Sequence, residues 1–292
     1  MIRDYTNSNP NQGKQMKVVL FCGGPGLRLR EYSENVPKPM VPIGYRPIIW
    51  HVMKYYAHYG HTEFILCLGH RADVIKEYFL KYNECLSNDF VLKNGGKKLR
   101  LLNRDLDDWT ITFVDTGIDS NIGERLMAVR DHIGDDEVFM ANYSDNLTDL
   151  HLPDLIDDFH KQGKIASFMS VKPSQSFHLV NIGSDSRVES LTPAPTSDIW
   201  INGGYFIFRR EIFDYIEQGE ELVIEPFQRL IEQGELVTYR HRGFWACMDT
   251  FKERQNLEDL YQHNNAPWMV WIRPPASSSK APSFREVNAV LE

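Results

Sequence analysis

Short runs of apolar, β-branched or aromatic residues alternate along the chain with stretches whose apolar positions recur at helical spacing. KVVLFC (17–22) reads as a strand and the stripe Ile48, Ile49, Val52, Met53, Tyr56 as a helix. EFILCL (63–68) reads as the next strand and Val74, Ile75, Tyr78, Phe79 as the next helix. Further strands are predicted at TITFVD (110–115), EVFMANY (137–143), ASFMSVK (166–172) and INGGYFIF (201–208), with helices near 153–162, 225–233 and 250–262. This βαβα order predicts an α/β fold with a mostly parallel sheet covered by helices.

Residues 1–15 are polar, and residues 273–292 open with Pro and Ser, so the pattern predicts a folded unit over 16–272 with a flexible tail on each side. No apolar run approaches the ~20 residues that cross a bilayer, and the N-terminus lacks an apolar signal core, so a cytoplasmic protein with no membrane partner is expected. Cys22, Cys67, Cys85 and Cys247 lie far apart with no C-x-x-C pair, which predicts buried free thiols rather than zinc or disulfides. The formal net charge of −8 argues against a nucleic-acid partner, so a phosphate ligand needs a local cluster of cations that overrides the global sign.

Several segments offer such chemistry. The first strand runs into Gly23-Gly24-Pro25-Gly26-Leu27-Arg28, a glycine-rich turn at the carboxyl end of a strand, where backbone N–H groups approach phosphate closely. It fits neither the dinucleotide fingerprint nor the P-loop, and a plain tight turn has the same composition. Arg28 beside the glycines, and Lys38 held in an extended segment between Pro37 and Pro39, supply a planar and a point cation suited to a polyphosphate. Asp145 and Asp249 each follow an apolar strand, where a carboxylate either caps a turn or binds a cation such as Mg²⁺. Asn202-Gly203-Gly204 inside an aromatic strand marks either close approach of a sugar or base, or a β-bulge. Trp50, Tyr55, Tyr56, Tyr59, Trp268 and Trp271 read as core or subunit contact.

These segments together resemble the sugar-1-phosphate nucleotidyltransferases, within them the glucose-1-phosphate cytidylyltransferases. The resemblance rests on Gly23–Leu29, Pro37–Val41, Trp50–Lys54, Asp115-Thr116-Gly117, Trp200–Gly204, and Gly243-Phe244-Trp245 leading to Met248-Asp249-Thr250. It implies a Rossmann-like nucleotidyltransferase fold, a mostly parallel mixed sheet flanked by helices with a small β-rich extension. It also implies that Arg28 and Lys38 hold the triphosphate as catalytic residues, with Gly23, Gly24, Gly26, Arg125 and Asp145 around the nucleotide. Asp145 and Asp249 would bind Mg²⁺, and Asn202 and Gly203 would face the sugar. The implied reaction joins a phosphorylated sugar to CTP and releases pyrophosphate, by direct attack on the α-phosphorus without a covalent intermediate. Members of this family commonly associate, so a homo-oligomer is expected, with the helix at Trp50–Tyr59 as a contact.

The chain also departs from the family pattern. Leu27 replaces a Thr, Ser144-Asp145-Asn146 a Gly-Asp-Gly, Ile122-Gly123-Glu124-Arg125 a Thr-Gly-Gly-Arg, and Thr192-Pro193-Ala194-Pro195 a Glu-Lys-Pro. Ser176-Phe177-His178 stands where an Arg-Phe-Gly is usual. The lost lysine makes Lys172 and His178 the candidates to replace it, and predicts that glucose-1-phosphate is not the best substrate. The alternatives are a relative that uses another nucleotide and a non-catalytic nucleotide-binding protein on the same scaffold.

Overall fold

The computed structural model describes residues 15–24, 36–102, 106, 108–174 and 177–272. Gly26, Leu27 and Arg28 lie outside the described residues, as do 1–14, 273–292 and the side chain of Cys85.

Seven strands form the main sheet: Val18–Phe21 (β1), Glu63–Leu68 (β2), Thr110–Asp115 (β3), Val138–Asn142 (β4), Ala166–Val171 (β5), Ile201–Arg209 (β6) and Leu236–Arg240 (β7). Their order across the sheet is β7-β5-β6-β4-β1-β2-β3. β1 pairs in parallel with β2 and β4, β2 with β3, and β5 with β7, while β6 runs antiparallel to β4 and β5. The mixed, mostly parallel sheet predicted from the sequence is therefore the one observed. All its strands but β6 end at one edge, and β6 begins there.

β1 is apolar and buried at every position, as a central parallel strand must be. Its alternate residues enter two cores. Val18 and Leu20 pack on the side of helices Ile48–His58 (α1) and Ala72–Leu80 (α2); Val19 and Phe21 face the side of Ile122–Ala128 (α3). Leu152–Gln162 (α4) joins the first core through Leu155 and Phe159, Glu225–Glu232 (α5) the second through Phe227 and Leu230, and Phe251–Gln262 (α6) the first through Leu257. Burying such side chains stabilises the fold by about 1.5–3 kcal/mol each.

Two sequence-based expectations change, and two elements went unpredicted. Of the aromatics read as core or subunit contact, Tyr55, Tyr56, Trp50 and Trp268 are at most 5% exposed and so belong to the core, which leaves them unavailable as a surface contact. Lys38 is not in an extended segment: Pro37 is extended, but Lys38–Met40 forms a 3-10 turn, which tolerates Pro39 because first-turn N–H groups lack internal acceptors. α3 is too short for its apolar period to register. β7 is an edge strand of half-buried and exposed residues, so its sequence LVTYR lacks the apolar run of the inner strands.

Small two-stranded ribbons complete the fold. His178–Ile182 pairs with Val188–Pro193, the β-rich extension, and Asn146–Thr148 pairs with Trp245–Cys247. No helix among the described residues is long and apolar enough to cross a membrane.

Candidate active site at the carboxyl edge of the sheet

The edge where β1 and β4 end holds a cavity of about 590 Å³ lined by Gly23, Gly24, Lys38, Arg125, Asp145 and Asp249, together with Tyr143 and Glu221. A volume of this size suits a nucleotide-sized ligand. Six of the site residues named from the sequence are thus brought to one cavity.

The ribbon between Asn146–Thr148 and Trp245–Cys247 does the central work. Its register places Cys247 opposite Asn146, and Met248 N donates to Asp145 O at 3.1 Å, so two carboxylates a hundred positions apart leave the ribbon side by side. Asp249 is fixed from behind, because its N–H donates to Glu253 Oε2 at 2.8 Å just before the capping box that starts α6. Lys38 Nζ donates to Asp145 Oδ2 at 2.5 Å and also to Asp249 Oδ1. Burial alone would lower the lysine, but the Asp145 charge and the hydrogen bonds to both carboxylates overcome it and hold the ammonium above its ordinary range. Burial pushes the Asp145 carboxyl up, against the pull of Lys38.

These positions also answer whether the pair fits Mg²⁺. Both carboxylates reach one cationic group, and hard oxygen donors of this kind suit a divalent ion that takes its remaining ligands from phosphate and water. Among the described residues no group of three or more His, Cys, Asp or Glu side chains could hold a metal alone, so the substrate must complete such a site.

Arg125 is 2% exposed and donates to Leu68 O (3.2 Å), Thr116 Oγ1 (2.7 Å), Gly117 O (2.9 Å) and Ile118 O (3.2 Å). It ties together the loops after β2 and β3 and forms part of the cavity wall from within. A Cβ at Gly23 would sit 1.9 Å from its guanidinium, so this glycine is required by Arg125 itself. Among the described residues a Cβ at Gly24 would meet nothing within 4 Å, and Gly24 is exposed in the cavity lining. Glu124 does not intrude on the pocket: Asn121 N donates to its carboxylate at 3.0 Å in the capping box of α3. Ser144 adopts φ +65°, a conformation that favours glycine, and its Oγ donates to Phe21 O at 2.7 Å, pinning the end of β4 to the end of β1. Cys22 carries no reactive thiolate, since burial pushes its thiol up to about 12.

The sugar-side candidates are placed differently. Asn202 is outside the cavity lining; its Oδ1 accepts from Gly204 N at 2.8 Å and its Nδ2 donates to Tyr143 Oη at 3.2 Å, so it braces the cavity wall from behind. Gly203 is buried and packed on Met169, where a Cβ would come within 2.6 Å of the methionine methyl, so a neighbouring strand explains it without a ligand. The strand register shifts between Phe168 and Ser170 opposite this segment, which is the bulge alternative. His178 is exposed at the start of the hairpin, opposite Pro193, and does not reach the cavity. Lys172 lies over the Trp200 ring, 4.5 Å from its centroid, and donates to Ser197 O. Tyr143, Ser144 and the Ile118–Asn121 loop belong to the site without having been anticipated. Only the positive φ at Ser144, hidden by a non-glycine residue, makes its turn special.

A doubly wound sheet whose ligand edge carries a glycine turn, a lysine and paired carboxylates defines a nucleotide-binding enzyme that handles phosphoryl groups. The chain matches the family described as nucleotidyl transferase over residues 17–258. It is 38% identical over 259 residues to the glucose-1-phosphate cytidylyltransferase of Salmonella typhimurium, covering 88% of this chain and 100% of that protein. The fold is shared with UTP-bound UGPase from Acinetobacter baumannii (TM-score 0.63, 15% identity, 88% of this chain and 97% of that one). It is also shared with HddC from Yersinia pseudotuberculosis (TM-score 0.62, 18% identity, 85% of this chain and 100% of that one). The chain belongs to the nucleotidyl transferase family.

Proposed function

We propose that this protein transfers a cytidylyl group from CTP to a phosphorylated sugar and releases pyrophosphate. The observation that carries the reading is the convergence of Lys38, Asp145 and Asp249 in one cavity beside the exposed Gly24. The similarity to glucose-1-phosphate cytidylyltransferases supports CTP and a sugar-1-phosphate as the substrate pair.

The acceptor oxygen is already anionic, so no strong base is needed, and the protein supplies position and charge neutralisation. Gly23 and Gly24 present backbone donors to the triphosphate, with Arg28 and Gly26 assigned beside them on the resemblance. Lys38 is assigned to the α-phosphate, where its ammonium would stabilise charge as the bond to pyrophosphate breaks. Asp145 and Asp249 would hold Mg²⁺, which when bound neutralises charge on the departing pyrophosphate. Arg125 fixes the loops that shape the nucleotide side, and Asn202 holds Tyr143 in the wall. Lys172 is assigned to the acceptor, and His178, being exposed on the hairpin, is assigned only a peripheral place. The oligomeric state belongs to the same test.

The decisive measurement is pyrophosphate release from CTP, UTP, GTP, ATP and dTTP against a panel of sugar-1-phosphates, with the mass determined in solution. CTP-selective release dependent on a sugar phosphate supports the reading. CTP binding with no release across the panel would instead favour a non-catalytic nucleotide-binding protein.

A further inference from the structure

Three cations surround one tryptophan at the edge where β5 and β7 end and β6 begins. Lys172 Nζ lies 4.5 Å from the Trp200 ring centroid, the Arg242 guanidinium carbon 5.5 Å and that of Arg240 5.6 Å. The sheet builds the cluster: Val171 pairs with Ile201 and Ser170 with Arg240, so the residues just past those pairs must crowd together. Among the described residues no carboxylate pairs with any of the three. Asp198, two positions before Trp200, is exposed and makes no ion pair with them. In a chain of net charge −8, with 40 acidic residues available, three like charges left uncompensated at one spot cost repulsion that a structural role does not require. Arg240 and Arg242 are exposed, and their planar forks suit a two-oxygen anion.

We propose that Lys172, Arg240 and Arg242, gathered on Trp200, form a subsite for a second anionic group of the sugar-phosphate acceptor, a phosphate or a carboxylate distal to the reacting phosphate. The inference rests on the proposed nucleotidyl transfer. Continuity with the active site comes from Asn202, two residues after Trp200, whose amide donates to the Tyr143 hydroxyl in the cavity wall. None of the three cations lines the cavity that holds Lys38, Asp145 and Asp249. The anion assigned to them is accordingly a second one, apart from the phosphate that attacks the nucleotide. The Trp200 ring offers an apolar platform beside the charges, which suits the C–H face of a sugar.

The test compares glucose-1-phosphate with glucose-1,6-bisphosphate and glucuronic acid 1-phosphate, each with CTP and Mg²⁺. The wild type should use at least one doubly anionic acceptor about tenfold or more better in kcat/KM, the scale of one charge-assisted hydrogen bond. The bisphosphate and uronate arms tell phosphate from carboxylate. In R240Q/R242Q the advantage should fall to near unity with CTP affinity retained, and R240K/R242K should keep most of it. A wild type that prefers glucose-1-phosphate, or a preference that survives R240Q/R242Q, overturns the subsite. Calorimetric affinities for the three acceptors separate this inference from the reaction. An arginine-dependent preference in binding without turnover would sink the proposed function and sustain the subsite. Turnover with no preference would do the reverse.

Discussion

The two charged regions at the same sheet edge are built on opposite principles. Around Asp145 each charge is answered by the chain: one ammonium serves two carboxylates, and both side chains of the Lys38–Asp145 pair are under a fifth exposed. Around Trp200 charges of one sign gather in the open, with an aromatic face and a carbonyl as their protein partners among the described residues. The first arrangement is stable before any ligand arrives and must exchange partners to work. The second is left incomplete by the fold.

The comparison breaks most decisively at the carboxylates. Asp145→Asn or Asp249→Asn should lower kcat by about a thousandfold or more, the scale of losing a charge-stabilising contact in a transition state. Mn²⁺ binding in the presence of CTP, read by electron paramagnetic resonance, should weaken in parallel while circular dichroism is unchanged. Near-full activity at saturating Mg²⁺ in either variant would show that Lys38 alone needs the pair.

Neutral burial in the core extends the same accounting, with a clear pH sign. His51 donates from Nε2 to Ile43 O at 3.2 Å and accepts from Trp268 Nε1 at 3.3 Å, while His61 Nδ1 accepts from Met16 N at 3.0 Å. Burial lowers both from 6.5 to about 4. The unfolded chain therefore binds more protons between pH 6.5 and 4, and stability must fall on acidification through that window. The loss should be about 3 kcal/mol per histidine, seen as a falling urea midpoint, and His61→Asn should flatten the slope.

Lys38→Met sharpens the contrast inside the pocket. It should lower kcat by about a hundredfold while raising KM less, since a group that meets charge in the transition state acts on the rate. A change confined to KM would make it a ground-state ligand. The smallest effect separates wall from ligand: Arg125→Met should destabilise by about 2 kcal/mol, because Gly117 O and Ile118 O lose a buried donor. An unchanged urea midpoint with weakened CTP binding would make Arg125 a direct nucleotide contact instead.

The apolar periodicity by itself determined the sheet and most of its helices, because strands buried on both faces admit only runs such as VVLF and EFILCL. Edge strand LVTYR and the seven-residue α3 escaped it, since half-exposed or short elements carry too few apolar positions to show a period. Single residues at strand ends pointed to phosphate chemistry, and the order of motifs pointed to the family. What only the tertiary structure decided was who meets whom. The ribbon register joined Asp145 to Asp249, and the pairing of β5 with β6 and β7 assembled Lys172, Trp200 and Arg240. Packing set Gly203 against Met169 of the neighbouring strand and tied Arg125 to the loops of the cavity wall, contacts that no motif specified. Local pattern encodes which element a residue occupies, whereas contacts between residues far apart depend on register and crossover, which no local window contains.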